Sequence, residues 1–147
     1  MPGYGLPEDT KSLLPWRWAA GQLTRSHNYW LVTARTTGAP HAMPLWGVWL
    51  QDRFWFSTGA RSRKARNLAA NPKCVVCTEH ADKAVILEGK AQRIRPSAIP
   101  RQVAAAYKAK YGWRLDPKLG PVFAVQPRVA FGLVERDMMS TATRWHF

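Results

Sequence analysis

Basic and small polar residues near the middle of the chain are placed as an anion site would need them. Ser62 is a good helix N-cap, and apolar residues follow it at the i, i+3, i+4 spacing of one buried helical face, namely Ala65, Leu68 and Ala69. Asn71-Pro72 ends the predicted helix. Its first turn carries Arg63 and Lys64, although a helix N-terminus is already partly positive and disfavours cations. An external anion would resolve this conflict, because free amides, the Ser62 hydroxyl and basic side chains together form a phosphate cradle.

A solvated basic helix, with its long side chains turned away from the helix dipole, is the alternative interpretation of this stretch. The preceding residues favour the cradle. Arg53 to Thr58 has the pattern of an aromatic strand that breaks at Gly59, and a strand leading through such a loop into a helix presents backbone amides to phosphate. Arg61 adds a cation just before the cap. The spacing is neither that of a P-loop nor that of a GxGxxG dinucleotide site.

The whole chain is short and strongly basic. Its 147 residues fit one domain, residues 1–147, and 22 Lys and Arg against 9 Asp and Glu give a net charge of +13. This charge indicates an anionic partner, and nucleic acid, phospholipid and a phosphorylated cofactor all qualify. Neither a secretory signal nor an apolar run of about 20 residues is visible, so a cytoplasmic protein without a membrane partner is expected.

The two cysteines form a CxxC motif, Cys74 to Cys77, within a β-branched run. Residues i and i+3 of a strand point to opposite faces, so the two sulfurs cannot easily share a metal ion or a disulfide bond. No second CxxC completes a zinc site. We therefore predict ordinary buried thiols and no metal site.

Strand patterns dominate the rest of the chain. Helices are predicted over 9–25, 62–70 and 102–110, and strands over 29–34, 41–50, 53–58, 74–79, 84–94, 122–126 and 129–134. The second strand is expected to bend or break at Pro44 and Gly47, and Gln51-Asp52 to make a tight hairpin. Six to seven strands in hairpin order with two to three short helices predict a mainly β (α+β) fold, an antiparallel β-barrel with helices filling its ends.

Several pieces, taken in order, resemble one known family. They are Tyr29-Trp30-Leu31-Val32-Thr33, Gly38-Ala39-Pro40-His41, Pro44-Leu45-Trp46-Gly47-Val48-Trp49, Phe56-Ser57-Thr58, the 62–68 helix start, Asn71-Pro72, Glu88-Gly89-Lys90-Ala91 and Thr143-Arg144-Trp145-His146-Phe147. The set resembles the pyridoxamine-phosphate-oxidase-like split β-barrels, and more narrowly their branch of flavin- and deazaflavin-dependent oxidoreductases. The resemblance implies an FMN-binding type of split barrel, and a homodimer with two cofactor sites at the subunit interface.

The resemblance also implies roles for residues by position. Ser62, Arg63 and Lys64 would hold the cofactor phosphate, in agreement with the cradle inferred from charge. Ser57 and Thr58 would lie along the ring and ribityl chain. The edge of residues 41–46 would line the ring, which includes His41, Met43, Pro44, Leu45 and Trp46. The C-terminal segment of the same or the other subunit would also reach the site, through Arg144 and Trp145.

Other residues leave alternatives open. Ala84 stands where the pyridoxamine-phosphate oxidases carry a flavin-contacting Gln, so pyridoxine chemistry is not implied. His41 also fits a packed or exposed strand residue. Trp16-Arg17-Trp18 could cover the ring or pack in the core. A solvated helix face is favoured for a basic and aromatic patch, formed by Lys108, Lys110, Tyr111 and Arg114.

Three classes of function fit the chain. The first is an oxidoreductase that moves a hydride between coenzyme F420, or alternatively FMN, and a small organic substrate; no catalytic triad is needed because the cofactor carries the chemistry. The second is a non-enzymatic flavin or deazaflavin binder. The third, a nucleic-acid-binding barrel, is disfavoured because the aromatic residues fall in apolar strands. F420 is favoured over FMN because its glutamate tail suits a basic surface, with cations at Arg61, Arg66, Lys11 and Arg17.

Overall fold

Eight β-strands and four α-helices form residues 13–147, the part of the chain that the computed structural model describes. The strands are β1 (Tyr29–Ala34), β2 (Pro40–Leu45), β3 (Val48–Leu50), β4 (Arg53–Ser57), β5 (Lys73–Thr78), β6 (Lys83–Ile94), β7 (Val122–Val134) and β8 (Thr143–His146). The helices are α1 (Trp16–Arg25), α2 (Arg63–Ala70), α3 (Arg101–Tyr111) and α4 (Met138–Thr141), with 3₁₀ turns at Pro96–Ala98 and Glu135–Asp137.

All the strands belong to one antiparallel sheet. Seven follow the order β2-β1-β5-β6-β7-β4-β3, and β8 pairs with the second half of β7. The predicted class, an antiparallel α+β fold, is confirmed, although the strands and the α-helices each number one more than the largest number predicted. Local turn chemistry was also predicted correctly. Gln51 and Asp52 both have φ of 56° and join β3 to β4, as a tight hairpin requires.

Three element boundaries differ from the predictions. The first helix begins at Trp16, directly after Pro15, and its predicted residues 9–12 lie outside the described residues. The strand predicted over 41–50 begins at Pro40 and continues through Pro44, and it breaks at Trp46-Gly47, which confirms the break predicted at Gly47 and separates β2 from β3. The two closing strands predicted around Pro127 are one strand of 13 residues, β7.

A bulge explains how β7 continues through Pro127. Gly89 of β6 is opposite Pro127, whereas Glu88 is opposite Val129, so Arg128 is the extra residue of the bulged strand. Proline is tolerated there because the ladder is already disrupted. A Cβ atom on Gly89 would lie 2.2 Å from the carbonyl oxygen of Gln126, so only glycine allows the two strands to approach this closely.

Apolar side chains pack on both faces of the sheet near β4. The main cluster lies on the inner face and contains Phe54, Phe56 and Phe123, with the Phe56 and Phe123 ring centroids 5.3 Å apart. The second cluster lies on the outer face, where α3 covers β3, β4 and the start of β7 through Val103 and its neighbours. Val103 is fully buried, which shows that α3 is an integral layer of the fold.

Aromatic rings join α1 to the C-terminal strand. Trp16 makes edge-to-face contacts with Trp49, Trp145 and Phe147 at centroid distances of 5.9, 5.2 and 4.8 Å. Such pairs each contribute about 0.5–1.5 kcal/mol beyond the area they bury. For Trp16-Arg17-Trp18, core packing is therefore the interpretation that fits the tryptophans of α1.

The C-terminal turn of α3 is packed, which corrects the solvated face favoured for Lys108, Lys110, Tyr111 and Arg114. Two of these residues are exposed, but Lys110 and Tyr111 are partly buried. Lys110 Nζ donates to the Tyr29 hydroxyl at 2.7 Å and to the Gly47 carbonyl at 3.0 Å. These partners are 81 and 63 residues away in sequence, so local patterning could not reveal them.

We predict that Gly89→Ala lowers the free energy of unfolding by about 1–3 kcal/mol, because its methyl group would press on the backbone of β7 at the bulge. Gly21→Ala is the matched control, since a methyl group there meets only the flexible end of Arg25 within α1, and the change should stay within about 1 kcal/mol. Chemical denaturation of both variants provides the measurement. Equal stabilities would show that β7 can move away from β6 at little cost.

Candidate functional site

The N-terminus of α2 is built around the hydroxyl of Ser62. Its oxygen accepts a hydrogen bond from the Ala65 amide at 3.1 Å and lies 3.1 Å from the Thr58 hydroxyl. This confirms the predicted N-cap. Only one proton can lie between the two hydroxyl oxygens, so the Ser62–Thr58 pair keeps a second hydroxyl proton available for an external acceptor. The first amides of the helix also lack intrahelical partners, because the first intrahelical bond runs from Arg66 N–H to the Ser62 carbonyl.

The loop between β4 and α2 is held from behind by the segment that enters β7. The Ser57 hydroxyl donates to the Pro121 carbonyl at 3.1 Å, and the Thr58 amide lies 3.4 Å from the same oxygen. A Cβ atom on Gly120 would lie 2.3 Å from the Thr58 carbonyl, so the two backbones are in close contact. The position of the Ser62 cap is therefore fixed by residues about 60 positions later in the chain.

The body of α2 is anchored to β1. Ala65 and Leu68 are buried as predicted, whereas Ala69 is exposed. Its predicted place in the buried face is taken by Asn67, whose side-chain amide donates to the Thr33 hydroxyl at 3.0 Å. Both of these polar groups are buried, and pairing them avoids the penalty of an unsatisfied buried donor. The helix is thus fixed in rotation, with Arg63 and Lys64 at its solvent-facing start.

Several cations surround the start of α2. Partial desolvation, followed by the charges of Arg35, Lys64 and Arg63, lowers the pKa of His41 below its usual 6.5. The charge of Arg66, desolvation and Arg35 likewise lower the pKa of Arg63. Within residues 13–147 the one ion pair joins His80 to Glu79, so no carboxylate of these residues forms an ion pair with this group. We call Arg35, His41, Ser62, Arg63 and Lys64 the cationic cradle.

Sequence reasoning missed Arg35, which belongs to the tip of the β1–β2 hairpin. The register of β1 and β2 brings Thr33 opposite His41 and Ala34 opposite Pro40, and Thr33 also anchors the body of α2, so the hairpin tip lies beside this helix. The signal available in the sequence was the turn at Gly38, whose φ of 88° confirms it as a tight hairpin. The imidazole Nδ1 of His41 is buried without a hydrogen-bond partner among the described residues.

The residues predicted to line a ring lie on β2, which is the edge strand of the sheet. His41, Met43 and Leu45 alternate along one face, and Pro44 lies on the other. Met43 is 42% exposed. Trp46 follows at the break before β3, 37% exposed and stacked on Tyr111. The strand therefore presents a partly apolar edge that begins at the cationic cradle and ends at Trp46.

An apolar row crosses the outer face of the sheet. Cross-strand register aligns one residue from each strand, in the order Pro44, Trp30, Cys77, Ile86, Phe131 and Arg144. Trp30 is 45% exposed, and the guanidinium carbon of Arg144 lies 5.3 Å from the centroid of the Phe131 ring. We call these six residues the outer row. The outer row is thus a contiguous, partly exposed line of five apolar residues and one arginine across six strands.

The two C-terminal residues predicted at the site point to opposite faces. Arg144 belongs to the outer row, whereas Trp145 packs on Trp16 inside the fold. Both lie beside the second half of β7, while the cradle follows the end of β4 that pairs with Val122. The stretch from Val122 to Phe131 is on the order of 30 Å long at the usual rise of a strand. Arg144 is therefore distant, along the sheet, from the cradle of its own chain.

Two features are absent from the described residues: a cluster of metal-ligating side chains and a helix that could cross a membrane. Among residues 13–147, no group of three or more His, Cys, Asp and Glu side chains is placed to hold a metal ion. The same residues contain no helix with the length and apolar character needed to cross a membrane. Cys74 is a buried free thiol as predicted, whereas Cys77 is a free thiol that is only partly buried. Burial raises the pKa of Cys74 to about 12 and also raises that of Cys77, which favours the protonated form of both thiols.

Comparison with known proteins agrees with this architecture. Residues 19–135 match the sequence model of the family described as pyridoxamine 5'-phosphate oxidase. The chain belongs to this family. The match runs from α1 to the end of β7, and so includes both the cationic cradle and the outer row as far as Phe131. No curated protein matched the sequence.

Solved structures of several other proteins share the fold. An F420 reductase aligns with a TM-score of 0.59 and 22% identity, over 75% of this chain and 93% of its own. The haem storage protein HutZ from Vibrio cholerae gives 0.64 and 21%, over 75% and 87%. An FAD-binding protein from Mesorhizobium loti gives 0.62 and 16%, over 80% and 92%. At these identities the likeness is one of fold, and it confirms the predicted split β-barrel.

We predict that an anion in the cradle raises the pKa of His41, because it offsets the positive charges that lower this pKa in the free protein. Sulfate is a suitable probe because it does not titrate in this range. By linkage, sulfate binding should then take up a proton, and it should weaken as the pH rises through the raised pKa. NMR titration of the imidazole signals with and without sulfate measures both effects.

The imidazole of His80, beside Glu79 at the end of β5, is the internal control for this titration. Its signals should not respond to sulfate. A His41 pKa that is the same without sulfate and with sulfate in large excess would contradict the cradle.

Proposed function

We propose that the cationic cradle binds the phosphate of coenzyme F420 and that the protein is an F420-dependent oxidoreductase, with FMN as the alternative cofactor. The observation that supports this most strongly is the set of cations around the Ser62 cap, which form no ion pair with a carboxylate of the described residues. Helix-terminal amides, a hydroxyl with a spare proton and convergent Arg and Lys side chains are the donors that a phosphate accepts. Family membership supports a flavin-type cofactor, and an F420 reductase is among the proteins of similar fold.

Different groups of described residues would hold different parts of such a cofactor. Ser62, Arg63 and Lys64 would hold the phosphate. The edge of β2 would lie against the ring through Met43 and Leu45. When bound, the deazaflavin or flavin ring supplies the hydride chemistry, so the residues of this chain only have to bind the cofactor, orient it and shield it from water.

Charge beyond the phosphate favours F420 over FMN. FMN ends at the phosphate, whereas F420 continues into a chain of glutamates whose carboxylates each gain a few tenths of a kcal/mol from exposed cations. Arg66 lies close enough to Arg63 to lower its pKa, and Arg61 precedes the cap. Arg17 belongs to α1, which packs mainly on β3 and β6, whereas α2 packs mainly on β1. Arg17 and the cradle therefore belong to helices that cover different strands. Lys11 lies outside the described residues.

The outer row supports a homodimer as part of the same proposal. A second copy that covers Trp30, Ile86 and Phe131 would remove a contiguous apolar surface from water. Arg144 lies at the end of this row, far from the cradle of its own chain. In a dimer formed through this face, Arg144 of the partner subunit would be available to a cofactor held at the interface.

The cofactor assignment is tested by competitive titration of the purified protein with F420 and FMN. We expect F420 to bind more tightly, and its advantage to shrink as salt screens the glutamate tail. Lys64→Ala should weaken the binding of both cofactors by about 1.5–3 kcal/mol, the usual range for a hydrogen bond to a charged group. Lys90→Ala, at an exposed position on β6, removes the same charge away from the cradle and should leave both affinities unchanged.

Other outcomes of this titration select other functions. Tighter FMN binding would reverse the choice of cofactor, and uptake of haem instead of either would contradict the proposal. Turnover of a panel of enones and quinones with reduced F420 tests for an enzyme, and binding without turnover would favour a storage or sensing role. Salt-sensitive DNA binding with no cofactor uptake would favour the nucleic-acid function.

We predict a dimer at micromolar concentration that Trp30→Glu converts to a monomer, because the new carboxylate would be buried without a partner in the interface. The variant should also lose cofactor affinity if the site is shared between subunits. Trp113→Glu is the control, since Trp113 is 66% exposed and lies outside the outer row. Sedimentation velocity gives the assembly state. A wild-type monomer would contradict the dimer and the shared site together.

A further inference from the structure

The connection between β2 and β3 is held from outside the sheet by α3. The Gly47 amide donates to the Tyr111 hydroxyl at 3.0 Å, and the Gly47 carbonyl accepts from Lys110 Nζ at 3.0 Å. Two consecutive side chains of one helical turn therefore satisfy both backbone groups of a single residue. Behind it there is no free space, because a Cβ atom on Gly47 would lie 2.2 Å from the Phe54 ring.

The hydroxyl of Tyr111 has one proton and two carbonyl oxygens within reach, those of His27 at 2.7 Å and Gly47 at 2.8 Å. Because Lys110 already donates to the Gly47 carbonyl, the Tyr111 proton is free to go to His27. The hydroxyl then connects the start of β1 with the end of β2. Removing the Lys110 side chain would take a donor from the Gly47 carbonyl, and removing the Tyr111 side chain would take one from the His27 carbonyl.

Trp46 is oriented by the same turn of α3. Its ring stacks on the Tyr111 ring with centroids 4.5 Å apart and planes inclined by 7°, and His27 meets the Tyr111 ring edge-on at 5.2 Å. Trp46 is still 37% exposed, so part of the indole remains accessible while Tyr111 holds the ring. The stacked Trp46 ring is thus a pre-oriented, partly exposed surface at the end of the β2 edge.

Partial burial of the Lys110 ammonium costs desolvation free energy, which a purely structural contact would not require. Burial lowers its pKa to about 8, although the charge of Glu79 acts in the opposite direction, and the ammonium forms no ion pair among the described residues. Its contacts are hydrogen bonds to Tyr29 and Gly47 and the faces of two tyrosine rings, 4.6 and 5.2 Å away. A methionine would fill the same space without desolvating a charge.

We propose that Lys110 and Tyr111 are positioning residues, which hold Trp46 and the end of the β2 edge in the geometry that receives the cofactor ring. This rests on the proposed function, because it is the cofactor ring that this edge would contact. Neither side chain has to touch the cofactor. Their effect is on the shape of the site before binding, and pre-organisation of this kind improves affinity by reducing what must be ordered on binding.

The experiment compares Tyr111→Phe, which keeps the stacked ring and removes the hydroxyl, with Lys110→Met, which keeps the length and removes the donor. Controls on the same helix are Tyr107→Phe and Lys108→Met. Hydrogen exchange at the Gly47 amide is measured first, without cofactor. It should quicken in Tyr111→Phe, which removes the acceptor of that amide, and stay unchanged in both controls.

Affinities are then measured for FMN, F420, riboflavin and inorganic sulfate. Both positioning variants should weaken the three ring-containing ligands about tenfold, the size of one lost hydrogen bond in the supporting network, and leave sulfate affinity unchanged. Lys64→Ala, in contrast, should weaken the binding of sulfate. This difference separates effects on the ring end of the site from effects on the cradle. A thermal unfolding curve of each variant shows that the protein is folded.

The outcomes are distinct. If the wild-type protein binds the cofactors and the two variants bind them equally well, the positioning role is wrong and the proposed function stands. If the wild type binds no ring-containing ligand, the proposed function is wrong and the positioning role is wrong with it. Unchanged exchange at the Gly47 amide in Tyr111→Phe would also overturn the role.

Discussion

The long pairing between β6 and β7 is the constraint on which the rest of the structure depends. It extends over all 12 residues of β6, with one bulge between Glu88 and Gly89. Before the bulge, β7 carries Phe123 and Val125 into the inner cluster, and after it the inward residues are Ala130 and Gly132. A bulge changes which residues of a strand face inward, and thereby lets one strand serve two differently covered regions of the sheet. The first half of β7 is covered by α3, and the second half contributes Phe131 to the outer row.

Electrostatics at α2 oppose the stability of the isolated fold. The first turn of the helix contains two cations where acidic residues would be favourable, and Arg35 approaches from the hairpin. The packing nevertheless fixes this helix firmly, through the buried Asn67–Thr33 hydrogen bond and the contact of Gly120 with Thr58. Rigid support of an unfavourable charge arrangement is expected where a ligand supplies the missing charge.

Local chemistry explains what could be predicted from the sequence. The Ser62 cap and the Gln51-Asp52 turn were both predicted correctly, because cap and turn preferences act over a few residues. Pro127 was interpreted as a strand break because its place in a bulge depends on a partner strand nearly 40 residues earlier. Arg35 and Lys110 were missed or misjudged for the same reason. Their roles depend on contacts with distant segments, and no periodicity of their own elements reports such contacts.

The two ends of the β2 edge are held by unrelated parts of the chain. The cradle end depends on α2 and on the segment entering β7, whereas the Trp46 end depends on the last turn of α3. Substitutions at one end therefore need not disturb the geometry of the other. Under the proposed function the site is modular in evolutionary terms: a lineage could retain its hold on an anionic group while it exchanges the ring system that carries this group. Such independence would allow one barrel to diversify among large anionic cofactors without refolding.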